Sequence, residues 1–73
     1  MEDGQEVIGH FQKSSTASIQ VSLVSWEGTG FLDIREVVPS DKPDQAFTFT
    51  KKGVRFKAEF LPELIELLKA VPR

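Results

Sequence analysis

The side chains of this 73-residue chain that can do chemistry are few and mostly of one kind. A single tryptophan, Trp26, stands among the cations Arg35, Lys51, Lys52, Arg55 and Lys57. An indole face stacks on a planar base, and guanidinium and ammonium groups hold phosphate oxygens. Cations interleaved with aromatic rings across a sheet therefore form a general platform for single-stranded nucleic acid. The cations are also concentrated. Residues 45–58 hold four of them and no acid, a local +4 within a chain whose formal net charge is −2. Residues 7–26 likewise hold no acid, with Lys13 their one charge. The acids gather at the N-terminus, around Asp41 and Asp44, and at Glu59, Glu63 and Glu66. One reading is a basic face with the acids exported elsewhere. The other is a solvated strand whose cations guard an edge against aggregation.

Other chemistries lack their residues. There is no cysteine and no tyrosine, and His10 is the only histidine. A Ser-His-acid arrangement would have to use His10, which reads as an ordinary strand or surface residue. A structural zinc site needs more ligands than one histidine supplies. Glu27-Gly28-Thr29-Gly30 has neither the pattern nor the following helix of a phosphate-binding loop. The expectation is a non-enzyme with no catalytic residue, metal or cofactor. The acidic N-terminus lacks the apolar run of a signal peptide and no segment has the length of a membrane span, so the expected setting is cytoplasmic, with no membrane partner.

The elements that would position the cations can be read from periodicity. Residues 7–14 alternate weakly around Ile8 and Phe11 and give a first strand. Residues 17–26 give a second, with Ile19, Val21 and Leu23 on one face and Gln20 and Ser22 on the other. The glycine-containing connection after Trp26 signals a hairpin into a third strand, residues 31–38. There Leu32 and Ile34 are expected to face the core and Asp33 and Arg35 to point outward, with a bulge or strand end near Val37 and Val38. Residues 39–44, with two prolines and two aspartates, form a loop. Residues 46–57 give a fourth strand in which Phe47 and Phe49 have one parity and Val54 and Phe56 the other. The register is therefore expected to switch at Lys51-Lys52-Gly53, the glycine marking the irregularity. Leu61, Leu64, Ile65, Leu67 and Leu68 then recur at helical spacing, with Pro62 in the first turn and Pro72 as a stop. Four strands and one helix make an α+β meander with the helix covering one sheet face.

Size bears on assembly. The 73 residues form one domain, of which residues 1–6 are expected to be a flexible acidic tail. At roughly 25 cal/mol per Å² of buried apolar area against about 1.5 kcal/mol of lost entropy per residue, so small a domain nets near zero. Disulfides and metals are closed to it, which leaves oligomerisation. One sheet face cannot consume the whole apolar arc of the helix, and the surplus at Leu61, Leu64, Ile65 and Leu68 suits helix-on-helix packing with a second copy.

The order of motifs carries a resemblance. Trp26-Glu-Gly-Thr-Gly30, then Phe31-Leu-Asp-Ile-Arg-Glu-Val-Val38, an acidic Pro-containing loop, and Thr50-Lys-Lys-Gly-Val54 before an amphipathic helix resemble the single-stranded-DNA-binding domain of the eukaryotic transcriptional positive cofactor four (coactivator p15 type) and its small bacterial and phage relatives. The resemblance spans residues 19–71. It implies a homodimer of curved four-stranded antiparallel sheets with the C-terminal helices at the interface. It also implies a single-stranded or melted DNA partner bound along the β-surfaces with little sequence preference, in transcription and in some members in replication or repair.

By this resemblance Trp26 stacks on a base, Arg35 matches the strand arginine, Lys52 and Gly53 match a Lys-Gly pair near the DNA backbone, and Gly28 matches the hairpin glycine. Glu27 and Thr29 stand where the family often has lysines, and Val38 replaces a strand aromatic. The expected nucleic-acid-binding set is thus Trp26, Gly28, Thr29, Arg35, Lys51, Lys52, Gly53, Arg55 and Lys57, in a nucleoid-associated protein that meets transcription or replication machinery. A protein-interaction module of the same fold and an RNA-binding protein are the competing readings.

Overall fold

The structure, a computed structural model, describes residues 4–72. Four antiparallel strands in meander order form one open sheet: β1 (Gly4–Ser14), β2 (Ala17–Trp26), β3 (Thr29–Pro39) and β4 (Phe47–Lys57). A 3-10 turn (Ala58–Phe60) leads into the helix α1 (Leu61–Lys69). The strands lie where alternation and β-branched content place them, with short extensions at the ends. The largest extension is at β1, where Gly4, Gln5 and Glu6 pair with Ser25, Val24 and Leu23. The expected acidic tail at residues 1–6 thus gives up three residues to the sheet; the other three lie outside the described residues.

The turn between β2 and β3 has two central residues, Glu27 and Gly28, with φ of 49° and 78°. Positive φ at both makes a primed turn, whose twist matches that of the flanking strands. Glycine takes this conformation without strain; Glu27 does so at some cost.

The sheet is strongly curved. On a flat sheet the outer strands would stand three spacings apart, about 14 Å. Here His10 of β1 and Phe47 of β4 meet edge to face, with ring centroids 5.2 Å apart. Curvature buries the polar face as well, so the expected assignment holds only in part: Leu32 of the opposite, convex face is buried as expected, at 8% exposure. The polar row of β2, with Ser18, Gln20 and Ser22, is buried, and so is Asp33 of β3, which is only 4% exposed. Val37 on the same concave face is wholly buried. The apolar row Ile19, Val21 and Leu23 lies on the convex face and is only half-buried. Asp33 therefore does not point out to solvent, as alternation alone suggests.

The helix does not cover that convex face. It forms where the apolar spacing predicts, with proline in its first turn, but none of its residues is buried. Its main packing is against the 3-10 turn. Leu61 and Leu64 are half-buried, and Ile65, Leu67 and Leu68 are exposed. Among the described residues only Ala17, Leu32 and Val37 are buried apolar side chains. No helix among these residues is long and apolar enough to cross a membrane, and no group of three or more acids or histidines could hold a metal ion.

Candidate nucleic-acid interface

Cross-strand pairing fixes which side chains share the concave face. In β3 these are Phe31, Asp33, Arg35 and Val37, which face Lys57, Arg55, Gly53 and Phe49 of β4. On the other flank the same residues face Val24, Ser22, Gln20 and Ser18, and Trp26 follows one row beyond Val24, opposite Thr29. Trp26, Thr29, Arg35, Gly53, Arg55 and Lys57 are therefore brought onto one surface.

The register irregularity lies where the glycine predicts it, but its size is different. From Val37 to Arg35 β3 takes two steps, while β4 takes four, from Phe49 to Gly53. Two extra residues preserve parity, so the expected switch does not occur. Phe47 and Phe49 stay on the concave face with Arg55, while Val54 and Phe56 stand on the convex one. The bulge has a steric cause at its end. A Cβ on Gly53 would lie 2.6 Å from the Ile34 carbonyl oxygen and 2.8 Å from the Arg35 Cα, so only glycine lets β4 approach β3 this closely.

Asp33 organises the cations of this face. Arg35 donates from Nε to Asp33 Oδ1 at 3.1 Å and from Nη2 to Oδ2 at 3.3 Å, and its Nη1 donates to the Thr50 carbonyl at 2.9 Å. Arg55 donates from Nε to Asp33 Oδ2 at 2.9 Å. Burial pushes the Asp33 carboxyl up, but the hydrogen bonds and charges of the two arginines outweigh it and hold the group below its ordinary value. Each guanidinium carries five donors, so both arginines keep N–H groups for a further acceptor after satisfying Asp33. Arg55 is the more open, its side chain 52% exposed. Two arginines and Lys57 against one carboxylate leave this surface positive.

Not every expected residue joins it. Lys52 pairs with Glu36 at 3.7 Å, on the convex side, where Lys13 holds the same carboxylate. Those lysines, Lys13 first through its hydrogen bond, lower the Glu36 pKa against a smaller upward push from burial. Lys51 sits exposed within the bulge, and Gly28 lies in the turn. Trp26 is displayed rather than tucked under its hairpin, at 58% exposure. It lines a cleft with Gln5, Val24 and Arg55. The residues that sequence reasoning missed are Asp33, Gln5 and Phe49. Asp33 carried a signal in its alternation with Arg35, but its role needs the curvature that buries it.

Comparison with known proteins finds relatives of the same fold. Residues 13–67 match the family described as Transcriptional Coactivator p15 (PC4). A crystal structure of a PC4 homologue from Burkholderia pseudomallei superposes with a TM-score of 0.74 at 31% identity, covering 93% of this chain and 89% of that one. A bacteriophage T5 homologue of the eukaryotic coactivator PC4, implicated in recombination-dependent DNA replication, shares the fold with a TM-score of 0.61 at 14% identity, covering 93% of this chain and 74% of that one. No curated relative matches the chain.

Proposed function

Since the chain belongs to the transcriptional coactivator p15 (PC4) family, we propose that it is a sequence-tolerant single-stranded-DNA-binding protein of coactivator type, serving transcription regulation and also replication or repair, in a cytoplasmic, nucleoid-associated setting. The observation that carries the reading is the alignment of Trp26, Arg55 and Arg35 along one concave, positively charged face, with both guanidinia anchored through Asp33. A base stacks on the displayed indole while the arginines and Lys57 take phosphates. Nothing in such an arrangement reads a base edge, so sequence tolerance follows. The working unit is a homodimer joined through Leu61, Leu64, Ile65 and Leu68 of the helix. Its support is the exposure of the helix and the smallness of the core. Thr29 and Gly53 share the concave face, and Lys51, Lys52 and Gly28 belong to the rim of the site. Lys52 joins it by exchanging Glu36 for a phosphate.

The test uses the single tryptophan as its own reporter. Titration with a mixed-sequence single-stranded oligonucleotide of about 20 nucleotides quenches Trp26, and the affinity falls steeply between low and high salt as counterions are released. Duplex gives little response, and a ribose oligonucleotide that competes better than the deoxyribose one would favour the RNA-binding reading. Silence of the tryptophan together with no binding by an independent assay would defeat the reading in favour of a protein-interaction module.

A further inference from the structure

Building on that reading of the concave face, we propose that Phe49 is a second base-stacking residue, which receives a nucleobase in the cleft beside Arg35 and Arg55. The parity-preserving bulge sets Phe49 on the same face as both arginines, opposite Val37. Its partner in register is wholly buried, yet the phenylalanine itself remains 51% exposed. It lines a cleft of about 230 Å³ with Gln5, Asp33, Arg35, Thr50 and Arg55.

This cleft adjoins the one that holds Trp26, and Gln5 and Arg55 line both. The two rings thus flank one cationic groove. Their rows lie eight residues apart along β3, roughly 26 Å at the rise of a strand. An extended strand of nucleotides laid along that groove would meet a ring at each end and guanidinia between. Phe47, two residues away, is differently occupied, since its ring is engaged edge-on by His10. The cleft is prepared for a phosphate next to a base. Asp33 and the Thr50 carbonyl hold Arg35 in place, so little ordering is left for the moment of binding. The ligand class is any nucleobase within a single strand, purines offering the larger face.

The experiment separates stacking from packing. Phe49→Ala, Phe49→Leu and Phe49→Tyr are compared with the parent in their affinity for a mixed-sequence oligonucleotide and for an abasic deoxyribose-phosphate chain of equal length. Stacking predicts that Ala and Leu both weaken binding of the base-bearing strand by roughly 5- to 150-fold, whereas Tyr stays near the parent. Affinity for the abasic chain and the salt dependence stay unchanged in all three, because no phosphate contact is touched. Thermal melting checks the fold, and if Ala melts early the Leu and Tyr pair decides. Parent-like binding by Phe49→Leu, or an equal loss on the abasic chain, would mean that the ring only shields the arginines, and the inference falls alone. A parent that binds neither strand overturns the single-strand reading and this inference with it.

Discussion

Asp33 puts a negative charge beneath the surface proposed to meet a polyanion, and charge counting alone says that its removal should tighten binding. The geometry says the opposite. Asp33 accepts three hydrogen bonds from two arginines, and without it Arg55 loses its anchor and Arg35 keeps only the Thr50 carbonyl. An Asp33→Asn variant keeps the shape but loses the charge and part of the accepting capacity. It is expected to lose about 2 kcal/mol of stability, the worth of a hydrogen bond to a charged group. Its single-strand affinity should fall several-fold although its net charge becomes more favourable. Tryptophan quenching and thermal melting on the same sample measure both, and tighter binding by the variant would refute a positioning role. The same carboxylate sets a pH dependence. Asp33 and Glu36 both titrate below their ordinary values of 3.8 and 4.5 when folded. A depressed acid contributes stability that is fully present above its unfolded pKa and lost as pH falls through the folded one. Melting temperature should therefore be level from neutrality to about pH 5 and drop steadily below pH 4. A flat profile down to pH 3 would show that neither carboxylate supports the fold.

At the scale of elements, the second strand and the helix were the most legible because each has a clear period. Ile19, Val21 and Leu23 alternate, and Leu61, Leu64, Ile65 and Leu68 recur in threes and fours. Two things were not legible, and both depend on the third dimension. Parity in β4 shows that Phe49 and Val54 differ, but not whether the bulge between them is odd or even. An odd bulge would have put both on the core side, while the even one sends Phe49 to the arginines. Curvature was equally hidden. A flat sheet would expose Asp33, and only the approach of β1 to β4, seen in the His10–Phe47 contact, buries the polar row. Gly53 joins these two facts, because its missing Cβ is what lets the bulged strand close on β3. Gly53→Ala would drive a methyl group into backbone at the Ile34 carbonyl, which cannot swing aside as a side chain can. The expected loss is about 1–3 kcal/mol, visible as a fall of several degrees in melting temperature. A variant as stable as the parent would show that β4 has slack at this point.

For the whole molecule, three buried apolar side chains among the described residues are too few to hold an 8.2 kDa domain by themselves. The apolar surface exists but lies outside the core. The row of β2 on the convex face is half-buried, and Ile65, Leu67, Leu68 and Val71 stand exposed at the C-terminal end. In a single chain these side chains contribute only through the part of their surface already buried; against a second copy they complete a core. Pairing also sets two concave faces on one particle. A long strand can then engage both at high effective concentration and bind more tightly than either face alone allows. The proposed dimer therefore ties stability to function, and a charge in the helix stripe tests both together. Leu68→Glu is expected to sediment at the mass of one chain, where the parent sediments at twice that mass at micromolar concentration. The parent's melting temperature should rise with protein concentration, as it does when assembly is part of folding, and the variant's should not. Affinity for a long oligonucleotide should fall far more in the variant than affinity for one short enough to occupy a single face. If the parent sediments as a single chain with a concentration-independent melting temperature, the convex face is covered in some other way and the dimer proposal fails.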